Sequence, residues 1–246
     1  MMANYRSHMK LAPGLHRVGN DLVAIHLIVT PDGVTIIDAG FAGHHRGLVA
    51  ELAAAGRSLD DVRGIVLTHG DDDHVGFAER LRAENGVPVH VHEKDAARAR
   101  GEEKTSPAWG RLRLAPAVRF LAYGARNGGL RTQHLTQVHT FRDGDELPLP
   151  GAPRIISLPG HSPGSVAVHV PAVRALFVGD ALTTRHVLTG ATGPQPAPFT
   201  DDPAAAAAAL DRVADIEADW VIPGHGAPWT GGVPALIAAY RAAAAA

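Results

Sequence analysis

One short segment of this sequence holds five side chains that could bind a metal ion. The segment is residues 68–76, with the sequence THGDDDHVG, and it contains two histidines and three aspartates. It follows an apolar run at residues 64–67 that is typical of a strand buried on both faces. Imidazole and carboxylate groups bind divalent cations, and their close spacing suits two cations about 3.5 to 4 Å apart. The segment therefore predicts a two-metal centre.

Three more residues that could bind metal stand just after apolar runs elsewhere in the chain. His161 follows the run at residues 154–158, Asp180 follows the run at residues 175–178, and His225 follows a third run. A glycine stands beside each of them, and glycine lets a backbone approach a metal closely. The repeated arrangement predicts that these side chains join the same site.

The elements that must position these residues alternate between short strands and helices. Apolar runs at residues 22–29 and 34–37 flank a Pro-Asp-Gly turn, which predicts a hairpin. Further strands are predicted at about residues 64–67, 87–91, 137–141, 154–158, 165–170 and 175–178, and helices at about 44–55, 76–84, from 201 onward and near the end. Two successive strand-rich halves, each closed by helices, predict two sheets packed face to face with helices outside.

Residues 94–135 interrupt this pattern because they are rich in arginine, alanine and glycine. We expect a mainly helical insert there, which either covers a pocket or forms a dimer contact. Residues 183–200 are expected to form a loop beside the pocket, and His186 in this loop either contacts substrate or is a plain surface histidine. Residues 1–8 are expected to be an expression-tag remnant, which leaves a single domain over residues 9–246.

With these motifs the chain resembles the metallo-β-lactamase fold hydrolases over nearly its whole length, from the hairpin and residues 37–40 to residues 223–226, and the insert matches least. The resemblance implies an α/β fold, a four-layer αββα sandwich with a dinuclear metal site along one edge. It also implies that Asp38 supports the site structurally, although a plain turn aspartate is an equal alternative. The implied metal ligands are His69, Asp71 and His161 at the first metal, Asp73, His74 and His225 at the second, and Asp180 bridging both.

The chain departs from the family in one position of the metal-binding loop. The family loop usually reads His-x-His-x-Asp-His, and Asp71 replaces its second histidine, although a shifted register would make Asp72 the ligand. The three implied carboxylate ligands and a bridging hydroxide would together balance two divalent cations. We therefore expect a weaker Lewis acid that tolerates hard cations. The expected cofactor is a pair of divalent ions, zinc first, with manganese or iron as alternatives.

The expected reaction follows from this site. A hydroxide shared by two metals can attack a polarised carbonyl group, with Asp73 as the general acid and base. The expected substrate is a small ester or lactone, with thioesters and amides as alternatives. A second hypothesis is an iron-containing oxidoreductase of the same fold, acting on oxygen or persulfides. A non-catalytic scaffold or a nucleic-acid processing protein is the third.

Composition argues against several other classes. The 246 residues include 23 Lys and Arg against 25 Asp and Glu, so the basic surplus of a nucleic-acid binder is absent. The absence of cysteine excludes disulfides, thiolate nucleophiles and Cys-ligated metal sites. No apolar run is long enough for a membrane span, and no secretory signal is apparent. We therefore expect a cytoplasmic monomer or homodimer that acts on a small molecule.

Overall fold

The protein is described here from a computed structural model that covers residues 8–103 and 110–244. The expected expression-tag remnant lies outside the described residues except for its last position, which begins the first strand. Residues 104–109 of the expected insert also lie outside them.

The larger sheet contains seven strands that lie side by side in the order of the chain. Its strands are β1 (His8–Ala12), β2 (Leu15–Gly19), β3 (Ala24–Thr30), β4 (Gly33–Ile37), β5 (Val62–Val66), β6 (Val89–His92) and β7 (His139–Phe141). Strands β1 to β4 pair antiparallel, including the predicted hairpin of β3 and β4, whereas β4 to β7 pair parallel. The sheet is therefore mixed.

The second half of the chain forms a smaller mixed sheet and a separate two-stranded one. Its strands are β8 (Arg154–Ser157), β9 (Val166–Val170), β10 (Ala175–Gly179), β11 (Thr183–Arg185), β12 (Thr192–Gln195) and β13 (Trp220–Pro223). The smaller mixed sheet has the order β13-β10-β9-β8, and β11 pairs with β12. The segment predicted as a loop at residues 183–200 thus contains a short hairpin. Its strands have only three and four residues, and glycine and proline within β12 obscure the strand pattern.

Seven α-helices connect these strands in the described part of the chain. They are α1 (His44–Ala54), α2 (Asp72–Val75), α3 (Ala78–Asn85), α4 (Ala96–Ala99), α5 (Leu114–Arg126), α6 (Pro203–Ala209) and α7 (Val233–Ala244). The side chain of Asp202 accepts a hydrogen bond from the backbone of Ala205 at 2.9 Å, and Pro203 follows it, so α6 begins as predicted. No helix of the described residues is long and apolar enough to cross a bilayer.

Three apolar clusters hold the layers together. Between the sheets, Ile28 and Val66 of the larger sheet pack in one cluster with Phe177 of the smaller sheet. The outer face of the larger sheet packs against α1 through Leu48, and that of the smaller sheet packs against α7 through Ile237. Each such buried side chain contributes roughly 1.5–3 kcal/mol of hydrophobic stabilisation. The fold is thus the predicted four-layer αββα sandwich.

Candidate metal centre

The seven predicted metal ligands lie together where strands of both sheets end. His69 follows β5, His161 follows β8, Asp180 follows β10 and His225 follows β13. Five of the seven side chains are buried, whereas Asp71 and Asp73 are partly exposed. Their donor atoms form three overlapping groups, each within 4.8 Å: His69, His74 and Asp180; His69, Asp71 and His161; and Asp73, His74 and His225.

The first group consists of His69, Asp71 and His161. Asp71 Oδ2 lies 3.5 Å from His69 Nε2 and 3.2 Å from His161 Nε2. Bonds of about 2.0–2.1 Å to a tetrahedral zinc ion would separate two ligand atoms by about 3.3 Å. The donor atoms of this group are therefore spaced as ligands of a single cation would be.

The second group consists of Asp73, His74 and His225. Asp73 Oδ2 lies 3.4 Å from His225 Nε2, and Asp73 Oδ1 lies 3.9 Å from His74 Nε2. Asp180 faces both groups, because its Oδ2 lies 3.0 Å from His225 Nε2 and 3.9 Å from His161 Nε2. Its Oδ1 lies 3.8 Å from His74 Nε2. Asp180 therefore lies where a carboxylate shared by two cations would lie.

Several donor atoms of this centre are buried without a hydrogen-bond partner. These atoms are Nε2 of His69, Nε2 of His74 and Oδ1 of Asp180. A buried polar atom without a partner costs about 1–3 kcal/mol, and two bound cations would satisfy all three. The donor set therefore fits a resident metal pair.

The charges of the centre shift the pKa values of its own members. Burial alone would lower the pKa of His74, but the carboxylates of Asp38, Asp73 and Asp180 raise it to about 10. Burial likewise opposes protonation of His225, yet Asp180 and Asp73 raise its pKa to about 9. Burial would raise the pKa of Asp180, but the surrounding histidines hold it well below its usual range. The raised pKa values of His74 and His225 indicate that the carboxylates around them favour positive charge at the centre, and the lowered pKa of Asp180 keeps that carboxylate ionised.

The far nitrogen of each histidine ring contacts another part of the protein. The contacts are Thr68 Oγ1 with Nδ1 of His69 at 3.1 Å, Asp38 Oδ2 with Nδ1 of His74 at 3.0 Å, Thr200 Oγ1 with Nδ1 of His161 at 3.2 Å, and the Leu22 carbonyl oxygen with Nδ1 of His225. Such contacts orient an imidazole ring and influence its basicity as a ligand. All four rings therefore present Nε2 to the centre.

Asp38 is buried directly behind the centre. The backbone nitrogen and the hydroxyl group of Thr68 donate hydrogen bonds to its carboxylate at 2.8 and 2.9 Å. Its φ of 60° is in the left-handed region, which aspartate tolerates better than most residues. Through Thr68 and His74, Asp38 contacts the centre in the supporting position that the resemblance implies.

Asp95 and Arg98 also hold the centre, and the sequence analysis missed both. Asp95 is fully buried and accepts hydrogen bonds from the backbone nitrogen of Gly70 at 2.9 Å and from Ser162 Oγ at 2.6 Å. One carboxylate thus connects the loop of His69 to the loop of His161. Both residues lie in a stretch of charged residues and alanines, which is typical of an exposed helix, so no local pattern marks them.

Asp72 and His186 lie outside the three groups of donor atoms in the described chain. The side chain of Asp72 is 61% exposed, and its Oδ1 lies 3.8 Å from His134 Nδ1. Asp71, rather than Asp72, therefore faces the histidines of the centre. His186 Nδ1 accepts a hydrogen bond from the backbone nitrogen of Thr189 at 3.3 Å, and His186 is not among the described residues that line the cavity at the centre.

Gly224 allows the two ligand groups to approach each other. A Cβ atom at this position would lie 2.3 Å from Asp180 Oδ1 and 2.7 Å from His74 Cε1. Neither distance is compatible with an unmoved side chain, so the centre depends on glycine here.

A cavity of about 210 Å³ opens onto the centre. Asp71, Asp73 and Asp180 form part of its polar wall. Its apolar wall contains Phe41, Phe120, Leu121, Leu130 and Phe199. Helix α5 contributes to this wall, so the expected insert borders the centre. A larger open groove of about 820 Å³, beside Asp32 and Arg63, includes none of the seven predicted ligands among its lining residues.

Comparisons with known proteins identify the family. The family model of the metallo-beta-lactamase superfamily matches residues 18–225, and the chain belongs to this superfamily. The chain is 27% identical to the probable metallo-hydrolase YflN of Bacillus subtilis (strain 168) over 232 residues, which cover 89% of this chain and 86% of that protein. The superfamily implies bound metal ions, and the described histidine and aspartate groups could hold them.

Two solved structures extend this comparison. The metallo-beta-lactamase family protein TTHA1429 from Thermus thermophilus has a TM-score of 0.67 and 25% identity, covering 93% of this chain and 78% of that one. The protein TTHA1623, solved in a di-iron-bound form, has a TM-score of 0.58 and 26% identity, covering 91% of this chain and 93% of that one. A protein with a similar fold has thus been solved with two iron ions bound.

Proposed function

We propose that the protein is a dinuclear metal-dependent hydrolase of a small carbonyl substrate, with an ester or a lactone preferred. The observation that carries this proposal is the position of Asp180, whose carboxylate faces both ligand groups. Two divalent cations, when bound by the seven side chains, would lower the pKa of a water molecule and polarise a carbonyl group. Zinc is the proposed metal, with manganese and iron as the alternatives.

Asp73 is the proposed general acid and base. Its side chain is 17% exposed and lines the cavity, whereas the histidines behind it are almost fully buried. A carboxylate at this position can accept a proton from the attacking water and return it to the leaving group. His225 Nε2 and His74 Nε2 lie 3.4 and 3.9 Å from its two oxygens.

The cavity favours a small substrate that is partly apolar and uncharged. Its volume of about 210 Å³ and its aromatic and leucine wall suit a short acyl or alkyl group. No lysine or arginine occurs among the described residues that line it. A carboxylate that lies away from the metal ions would find no lysine or arginine among these lining residues, which favours neutral esters and lactones over anionic substrates.

The proposal is tested with a paired substrate panel. The protein is stripped of metal with a chelator, reloaded with zinc, manganese or iron, and assayed on neutral esters and lactones beside their carboxylate-bearing analogues. We expect hydrolysis only after reloading, with neutral substrates preferred. Hydrolysis that survives complete metal removal would contradict the proposal, and oxygen uptake by the iron form without hydrolysis would support an oxidoreductase instead.

The role of Asp73 is tested with a matched pair of variants. Asp73→Asn is expected to lower kcat on the order of 10²–10⁴-fold, which is typical for the loss of a general acid or base. Metal content is measured on the same sample, so that metal loss and loss of proton transfer are distinguished. The control is Asp219→Asn, the same chemical change in an exposed pair with Arg174, and it should leave kcat unchanged.

A further inference from the structure

Arg98 is a buried cation in contact with one of the proposed metal ligands. Its side chain is 6% exposed, and its Nε contacts Oδ1 of Asp71. The other oxygen of the same carboxylate, Oδ2, faces His69 Nε2 and His161 Nε2 at 3.5 and 3.2 Å. The carboxylate of Asp71 is thus shared between an arginine on one side and two histidines on the other.

We propose that Arg98 is a positioning residue that enables Asp71 to replace a neutral histidine ligand. The inference rests on the proposed function, because it concerns the first metal of the proposed pair. Asp71 adds one negative charge relative to a histidine at the same position, and Arg98 adds one positive charge beside it. Arg98 therefore offsets part of the negative charge of Asp71, since it also binds Asp201, and this counteracts the weaker Lewis acid expected from Asp71 alone.

A second carboxylate, that of Asp201, also binds Arg98. Its Nη1 donates a hydrogen bond to Asp201 Oδ2 at 2.8 Å. The backbone nitrogen of Asp201 in turn donates to the carbonyl oxygen of His161 at 3.1 Å. A planar guanidinium group can bind two carboxylates in this way, whereas a lysine ammonium group lacks the rigid fork. Arg98 thus links the Asp71 loop to the loop of His161, and both loops supply the first metal group.

A purely structural ion pair would have the same contacts but a different response to substitution. If the ion pair of Asp71 and Arg98 is only structural, replacing Asp71 affects folding and leaves metal affinity unchanged. If the two residues together replace a histidine, Asp71→His should weaken metal binding while Arg98 remains, because a buried guanidinium would then repel the cation. Removing Arg98 from that variant should restore binding.

The experiment measures zinc affinity for the wild-type protein, Asp71→His, Arg98→Gln and the double variant, by competition with a chromophoric chelator. We expect Asp71→His to bind zinc about tenfold more weakly or worse, and the double variant to return to within about threefold of the wild type, which is a non-additive response. The matched control is Arg100→Gln. Arg100 lies two residues after Arg98 and pairs with Glu102 at 2.7 Å, so the zinc affinity of this variant should equal that of the wild type.

Other outcomes separate this inference from the proposed function. A double variant that binds zinc no better than Asp71→His, or an Asp71→His variant with unchanged affinity, would overturn the role of Arg98 while leaving the two-metal site intact. A wild-type protein that binds no metal would overturn both. Circular dichroism and the unfolding midpoint of the metal-free proteins establish that each variant is folded. If Asp71→His does not fold, Asp71→Asn with and without Arg98→Gln provides the same comparison.

Discussion

The two ligand groups use the same kinds of side chain, but opposite charges lie behind them. In the first group, Asp71 contacts the buried guanidinium of Arg98. In the second group, His74 lies 3.0 Å from the buried carboxylate of Asp38. A cation behind a carboxylate weakens it as a donor, whereas an anion behind an imidazole strengthens it.

This difference indicates that ligand identity and ligand support act together. The first group has a carboxylate at position 71, where the family loop usually has a histidine, and Arg98 offsets part of its charge. The second group keeps its neutral histidines and gains basicity from Asp38. A change to a supporting residue should therefore affect mainly the group that it contacts.

The largest effect on the centre is expected from Gly224→Ala, which places a methyl group too close to Asp180 and His74. Its methyl group would displace Asp180 and His74, and a displacement near 1 Å costs about 10²-fold in activity. Elemental analysis and kcat/KM are the measurements, and metal should be lost from both groups. Gly86→Ala is the control, since no atom lies within 4 Å of its Cβ. Its positive φ should lower stability by about 1 kcal/mol without metal loss.

A smaller and more local effect is expected from Asp38→Asn. This variant removes the negative charge behind His74. It should lower the affinity for the second metal by about 10- to 100-fold, which is typical when the partner of a histidine ligand is lost. A two-step zinc titration can resolve the two sites. The first group should lose much less affinity, since Asp38 reaches it only through the Thr68 hydroxyl group and Nδ1 of His69 and does not contact Asp71 or His161. Equal weakening of both steps would contradict local support.

A still smaller effect is expected from Ser162→Ala, which removes one hydrogen bond to Asp95. The bond is 2.6 Å long and buried, so its loss should lower the free energy of unfolding by about 1–3 kcal/mol. Zinc affinity of the first group should fall only a few-fold, because the backbone nitrogens of Gly70 and Gly164 still donate to Asp95. An affinity loss as large as that of Asp38→Asn would mean that Asp95 does more than join two loops.

No effect on the centre is expected from Glu79→Gln, which changes stability alone. Hydrogen bonds from Arg82, and further ones from Thr136, outweigh burial and lower the pKa of Glu79 from 4.5 to about 2. Because the pKa is lower in the folded state, the stabilisation is complete above pH 4.5 and is lost as the pH falls towards 2. At neutral pH the free energy of unfolding of the variant should be about 2–3 kcal/mol lower than that of the wild type.

The measurement for Glu79 is urea unfolding of the metal-free protein between pH 2 and 7. The free energy of unfolding of the wild type should fall more steeply than that of Glu79→Gln as the pH decreases from 4.5 to 2. Parallel pH profiles would contradict the contribution of this buried pair. Zinc affinity at neutral pH should be the same for both proteins.

The sequence was most informative where a local pattern carries the chemistry. Each candidate ligand directly follows an apolar strand beside a glycine or lies in one polar segment, so the pattern marks the candidates, and the resemblance to the family assigns them to the two metals. The sandwich was also predictable, since the order of strands and helices indicates two halves. The hairpin of β11 and β12 was not, because glycine and proline interrupt strands of three and four residues.

Asp95 and Arg98 show why the support of the centre could not be predicted. Asp95 contacts Gly70 across 25 positions of the chain, and Arg98 contacts Asp71 across 27. Their neighbours are alanines and other charged residues, as on many solvent-exposed helices. The fold brings α4, which contains Arg98, against the two ligand loops. The charge beside Asp71 can therefore be identified only from the three-dimensional structure.

The most direct test of the two-metal centre is the metal content of the wild-type protein and of Asp180→Ala, both purified without added metal. Elemental analysis should find close to two zinc, manganese or iron ions per wild-type chain, and most of this metal should be missing from the variant, because Asp180 faces both groups. A wild-type protein with one metal or none per chain, or a variant that retains the full amount, would contradict the shared centre.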